Sequence, residues 1–116
     1  MRFTKLGNIY NIIRITGAQN NILGISFDET NSSEVNIEVV EWKLDYYDAE
    51  KVLTSKEEVL EQVINGLDAI NKVLKTNYRL SRIYFSPCDS SANRIYSGLT
   101  GILIRHYHNG NPFIEV

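Results

Sequence analysis

The spacing of apolar and polar positions changes several times along the chain, and each change marks an element. Ile9–Ala18 (IYNIIRITGA) and Ile22–Glu29 (ILGISFDE) are rich in isoleucine and flank the turn-like Ala18-Gln19-Asn20-Asn21. Such a pair predicts an antiparallel hairpin, with Gly24 as a bulge or a point of close backbone approach. Thr30-Asn31-Ser32-Ser33 reads as a polar loop. A third strand is expected from Glu34 to about Tyr46, and its phase slips partway. Val35, Ile37 and Val39 alternate with polar residues, and then Val40, Trp42 and Leu44 take over the apolar positions. A slip of one residue moves the apolar set to the other face, so a β-bulge near Val39-Val40 is expected if both halves are to meet one core.

The period then becomes helical. Ser55 followed three residues later by Glu58 matches a capping box, and acids in the first turn suit the helix dipole. Val59, Leu60, Val63, Ile64, Leu67, Ile70, Val73 and Leu74 form a broad stripe that carries the helix to about Lys75, with Asn77 expected to cap its end. Tyr78–Ser86 reads as another strand, broken at Ser86-Pro87-Cys88. Asp89, Ser90 and Ser91 are capping residues that open a second helix. Ile95, Leu99, Ile102, Leu103 and His106 are expected on its inner face, and it stops at Asn109-Gly110-Asn111-Pro112. Pro112–Val116 can form a short edge strand, where a leading proline is tolerated. The order β-β-β-α-β-α-β implies an α+β fold: one mostly antiparallel sheet with two helices packed on one face.

Length and composition limit the options. At 116 residues the chain supports one domain with one core, residues 1–116. Its hydrophobic and charged fractions are those of an ordinary globular protein. Apolar runs are too short to span a membrane, and Met1–Ile15 lacks the pattern of a secretion signal. The single cysteine, Cys88, cannot form an internal disulfide, which suits a reducing compartment and a cytoplasmic protein.

A net charge of −2 conceals a strong asymmetry. Residues 1–27 carry three bases and no acid, residues 28–61 carry eleven acids against three lysines, and residues 62–116 carry six bases against three acids. The middle of the chain is therefore an acidic block in an otherwise mildly basic protein. This bears on partners rather than on fold. Within it, Glu41, Trp42, Asp45, Tyr46, Tyr47, Asp48 and Glu50 mix carboxylates with the aromatic side chains that most often anchor interfaces. An acidic surface of this kind complements a cationic partner and speeds its capture. The plain alternative is a solvated strand edge with Trp42 in the core.

Other candidates are weaker. Cys88 before a helix start, with His106 and His108 later in the same unit, could serve a small thiol-dependent enzyme. No nucleophile signature surrounds it, and histidines at a helix end also suit the dipole. His106-x-His108 lacks the spacing of three or four that a helical metal pair needs, so no metal is expected. Asp89, Ser90, Ser91 and Asn93 could cradle an anion, but Asp89 puts a negative charge where the anion would sit. No phosphate loop or dinucleotide fingerprint occurs, so no cofactor is expected. The seven tyrosines are dispersed with no basic cluster beside them, which argues against nucleic acid as a direct ligand.

Tyr84, Pro87, Asp89, Ser90, Ala92, Tyr96, Leu99, Thr100, His106 and Gly110-x-x-Phe113 fall within Arg82–Phe113. In these residues the segment resembles the C-terminal part of small immunity proteins of bacterial contact-dependent growth inhibition systems, in particular the group that neutralises ribonuclease toxins. The resemblance covers about a quarter of the chain and implies a non-enzymatic protein, which agrees with the cytoplasmic expectation; a monomer or weak homodimer is expected. Such a protein binds the toxin domain of a surface-delivered effector and blocks it. Toxic ribonucleases hold RNA in cationic clefts, which the acidic block can occupy as a phosphate mimic. The toxin-contacting residues of such proteins are not fixed, so the interface expectation rests on charge and aromatic content. A structural subunit of a larger assembly, using the phase-shifted strand as an edge, is a further alternative.

Overall fold

A computed structural model describes residues 1–16, 19–30, 36–42, 49–51, 54–87 and 95–116. Among them the strands are β1 (Arg2–Leu6), β2 (Ile9–Thr16), β3 (Gln19–Phe27), β4 (Glu38–Glu41), β5 (Leu80–Phe85) and β6 (Ile114–Glu115). The helices are α1 (Lys56–Leu74) and α2 (Ile95–His108), and Ala49–Lys51 forms a single 3-10 turn. The strands make one sheet in the order β4-β5-β3-β2-β1-β6. Its centre is antiparallel (β1 with β2, β2 with β3, β3 with β5), and the outermost pair at each edge is parallel: β4 with β5, and β6 with β1. The fold is α+β with a mixed sheet.

One core joins the two layers. Ile12, Leu23, Ile25, Ile83 and Phe85 project from one sheet face and meet Val59, Val63, Leu67 and Ile70 of α1 and Tyr96, Leu99, Leu103 and Ile104 of α2. Burying a large aliphatic or aromatic side chain contributes about 1.5–3 kcal/mol, so this cluster is the main source of stability. The helices approach closely at Gly66. A Cβ there would collide with the Ser97 carbonyl oxygen and come within 3.0 Å of Thr100 Cβ.

The Ser55 half of the expected capping box forms: Ser55 Oγ accepts from the Glu58 backbone N–H at 3.3 Å. The other end differs from expectation. Lys75, not Asn77, is the cap residue, in the left-handed region with φ +56°. Asn71 braces the exit. Its Nδ2 donates to Tyr78 O at 3.0 Å, and its Oδ1 accepts from Thr76 Oγ1 at 2.9 Å and from Tyr78 N–H at 3.0 Å. That single amide replaces the cap expected from Asn77.

Two inner faces are rotated from the expected ones. On α1, Ile64 and Val73 are exposed while Gly66 is buried. On α2, Ile102 is exposed, and Tyr96, Thr100 and Ile104 join Leu99 and Leu103 inside. The contact at Gly66 sets this rotation, because it draws the Tyr96–Thr100 turn against α1. The capping residues expected for α2, Asp89, Ser90 and Ser91, lie outside the described residues, as does Asn93.

Among the described residues, the strand expected over Glu34–Tyr46 is the four-residue β4, and no bulge interrupts it. Glu38, Val39, Val40 and Glu41 run in register with Arg82, Ile83, Tyr84 and Phe85. The change of phase has another cause. Ile37 and Val39 pack towards the helices, while Val40 shares the register row of Tyr84 on the opposite face. Val39 and Glu41 share the helix face and Glu38 and Val40 the opposite one, so the apolar positions change face along the strand with no bulge. Among the described residues, the register shifts between Ser26 and Phe27 of β3.

Candidate functional site

The sheet face turned away from the helices is the feature that sets this protein apart from a simple two-layer sandwich. Thr4, Asn11, Gly24, Tyr84 and Val40 form one continuous register row across five strands on that face. Trp42 follows β4, and its backbone N–H donates to Phe85 O at 2.7 Å, which continues the ladder by one residue. The indole then lies on the helix-free face. Its ring centroid is 5.1 Å from that of Tyr84, and its Cη2 would stand 3.2 Å from a Cβ placed on Gly24.

Beyond the indole the face opens into a groove of about 420 Å³, with Leu6, Ile13, Ile22, Trp42 and Val116 as apolar walls and Arg2 among the polar ones. Leu6 and Val116 are half or more exposed. Asn11 is buried beneath the groove, and its Oδ1 has no hydrogen-bond partner among the described residues. A face this apolar, on a sheet whose other side already holds the core, is the kind of surface that marks an interaction site.

Glu41 and Glu50 are the described members of the acidic set expected at the interface. Glu41 ends β4 directly before Trp42, half-buried and on the helix side by register. Glu50 is exposed in the Ala49–Lys51 turn. Asp45, Tyr46, Tyr47 and Asp48, the other residues expected at the interface, lie outside the described residues. Glu38 pairs with Arg82 at 3.4 Å, and both side chains are more than half exposed, so the pair adds little stability. Tyr84 and then Glu38 raise the Arg82 pKa and hold its charge at the sheet edge.

Of the Cys/His pair, Cys88 lies outside the described residues. His106 is committed to packing: its ring stacks on Phe3 at 3.6 Å and its Nε2 lies 2.8 Å from Pro112 O. His108 Nδ1 lies 2.8 Å from the Tyr78 hydroxyl. Among the described residues no group of three or more His, Cys, Asp or Glu side chains could hold a metal, and no helix is long and apolar enough to cross a membrane.

The tyrosines, dispersed in sequence, are not all dispersed in space. Tyr10, Tyr78 and Tyr107 gather around Phe27 where the last turn of α2 meets the sheet. No local pattern marks this cluster, because its members come from β2, β3, the turn after α1 and α2.

The residues that carry the family resemblance are framework wherever they are described. Tyr84 stacks under Trp42, Tyr96, Leu99 and Thr100 are buried in α2, and His106 meets Phe113 edge to face at 4.9 Å. Comparison with known proteins gives no match among family models, curated proteins or solved structures.

Proposed function

We propose that this protein is a stoichiometric inhibitor, an immunity protein that binds the toxic nuclease domain of a contact-dependent inhibition effector and neutralises it. Ribonuclease is the nuclease class the resemblance favours. The observation that carries this reading is the position of Trp42, which lines the uncovered apolar groove and directly precedes the acidic segment in sequence. An aromatic anchor beside an apolar groove supplies the desolvated centre of an interface. The carboxylates that neighbour it in sequence supply attraction to a cationic, RNA-binding cleft and fast capture. The producing cell is protected because the bound domain cannot take up RNA.

The test begins with a pull-down of tagged protein from its source cells at low and at high salt. Recovery of the C-terminal fragment of a large effector in equal proportion supports the reading. Association kinetics with that fragment then locate the surface. Reversal of Asp45, Asp48 and Glu50 to lysine should slow association at least tenfold, roughly as loss of steering predicts, and flatten its salt dependence. Trp42→Ala should chiefly speed dissociation. An association rate unchanged by the triple reversal would rule out the acidic segment as the interface.

A further inference from the structure

A second cleft lies on the helix side of the sheet, at the end of the strands that carries the Gly7-Asn8 turn. Tyr10, Phe27 and Tyr107 meet with ring centroids 5.6 Å (Tyr10–Phe27), 5.0 Å (Tyr10–Tyr107) and 4.4 Å (Phe27–Tyr107) apart. They wall a cleft of about 330 Å³ beside the Gly7-Asn8 turn between β1 and β2. Two opposite charges, Lys5 and Glu29, line the same cleft. Neither closes an ion pair among the described residues. Lys5 Nζ stands 5.1 Å from the centroid of the Tyr10 ring instead. Both charges act on one phenol: burial, Tyr10, Tyr78 and Glu29 push the Tyr107 pKa up, and Lys5 pulls it down.

The geometry points to a binding site for a small zwitterion with a flat apolar body, of the size of a free aromatic amino acid. Its carboxylate would lie against Lys5, its ammonium against Glu29, and its ring against Phe27 and Tyr107. The charge pair selects this class. A simple anion would face Glu29, a simple cation would face Lys5, and a neutral apolar molecule would desolvate both without compensation. The volume falls at the small end of the range for ligand pockets and suits a molecule of this size. The three rings offer a flat aromatic body faces and edges to pack against. This site does not depend on the toxin-binding reading, since Lys5, Tyr10 and Phe27 lie on strands that do not pair with β4.

The test is an NMR titration of the full chain with L-phenylalanine, and with phenethylamine and 3-phenylpropanoate as probes that each keep one charge. Saturable shifts of the Tyr10, Phe27 and Tyr107 ring resonances are expected with L-phenylalanine, and binding about tenfold weaker with either single-charge probe. Lys5→Gln should weaken L-phenylalanine and spare phenethylamine. Glu29→Gln should weaken L-phenylalanine and spare 3-phenylpropanoate. Both positions are at least partly exposed, so an unchanged thermal midpoint is expected for each variant. No saturable shift with L-phenylalanine up to about 20 mM, a concentration well above a weak site's Kd, would overturn the proposal. Equal affinity for all three probes would overturn it as well.

Discussion

The Trp42 indole and Gly24 are packed so closely that the glycine has no room for a side chain. A Cβ on Gly24 would stand 2.5 Å from Asn11 Oδ1, 3.1 Å from Ile9 Cγ2 and 3.2 Å from Trp42 Cη2. Gly24 does not have a positive φ, so the requirement for glycine here is space rather than backbone conformation. It ties the central strand of the sheet to the residue proposed as the interface anchor. Gly24→Ala should therefore displace Asn11 or lift the indole. A loss of about 1–3 kcal/mol is expected in urea unfolding, as for other overpacked sites. Trp42 fluorescence should shift to the red as the ring becomes more exposed.

Gly66 offers a second test, in which two effects of opposite sign compete. Alanine improves helix propensity by about 1 kcal/mol over glycine in a helix interior. Against this, the added Cβ meets the Ser97 backbone, which can move only if the whole of α2 moves. The steric term should win, with a net loss of about 1–2 kcal/mol for Gly66→Ala. Gly98 is the control. It is exposed within α2 with nothing near its missing Cβ, so Gly98→Ala should gain about 0.5–1 kcal/mol. Urea midpoints that move in the same direction for both variants would contradict the close helix contact.

The sequence reveals most of the fold because its strongest signals are local. The Ser55 cap and the isoleucine-rich hairpin are written in adjacent residues and both appear in the structure, though Gln19, Asn20 and Asn21, which read as turn, pair with Thr16, Ile15 and Arg14 in the ladder. β1 was not expected. Its alternation is obscured because Thr4 is buried on the apolar face while Lys5, on the helix side, reaches over the Tyr10 ring. The apparent slip at Val39-Val40 misleads for a related reason: each face of β4 carries one valine and one glutamate, so neither side marks its phase. Trp42 was legible as an aromatic among acids. Its place on the helix-free face was not, because that depends on the parallel pairing of β4 with β5, residues far apart in the chain. The Tyr10–Phe27–Tyr107 cleft left no trace in sequence, since three elements build it.

Asn71 should prove to be the most sensitive polar residue of α1. Its amide makes three hydrogen bonds that fix the turn into β5, all of them partly buried. Asn71→Ala leaves the Tyr78 N–H and C=O without that partner, and a loss of about 1–3 kcal/mol is expected. Lys75→Gly should act the other way. Glycine holds the left-handed cap without Cβ strain, and a gain of about 0.5–1 kcal/mol is expected. Thermal unfolding of the two single variants checks both signs.

Asp28 should give the fold part of its sensitivity to acid. Its carboxylate accepts from Thr30 Oγ1 at 2.6 Å and from Thr30 N–H at 2.9 Å, and Arg79 Nη2 lies 3.8 Å away. The Thr30 bonds come first and the Arg79 charge adds to them. Together they outweigh desolvation and hold the pKa below the ordinary 3.8. A carboxylate with a depressed folded pKa binds fewer protons in the native than in the unfolded state. Its stabilisation is complete above the unfolded value and disappears as pH falls through the folded one. Stability of the wild type should thus decline as pH drops below 3.8, and Asp28→Asn should decline less steeply over the same interval. The variant should also start from a lower stability at neutral pH, because it gives up a charged acceptor while keeping a similar shape. Urea unfolding of both proteins from neutral pH down to about pH 2, the lower limit at which such a carboxylate titrates, measures the two slopes. Parallel slopes would mean that Thr30 and Arg79 do not favour the charged form, and that the acid response of the fold arises elsewhere.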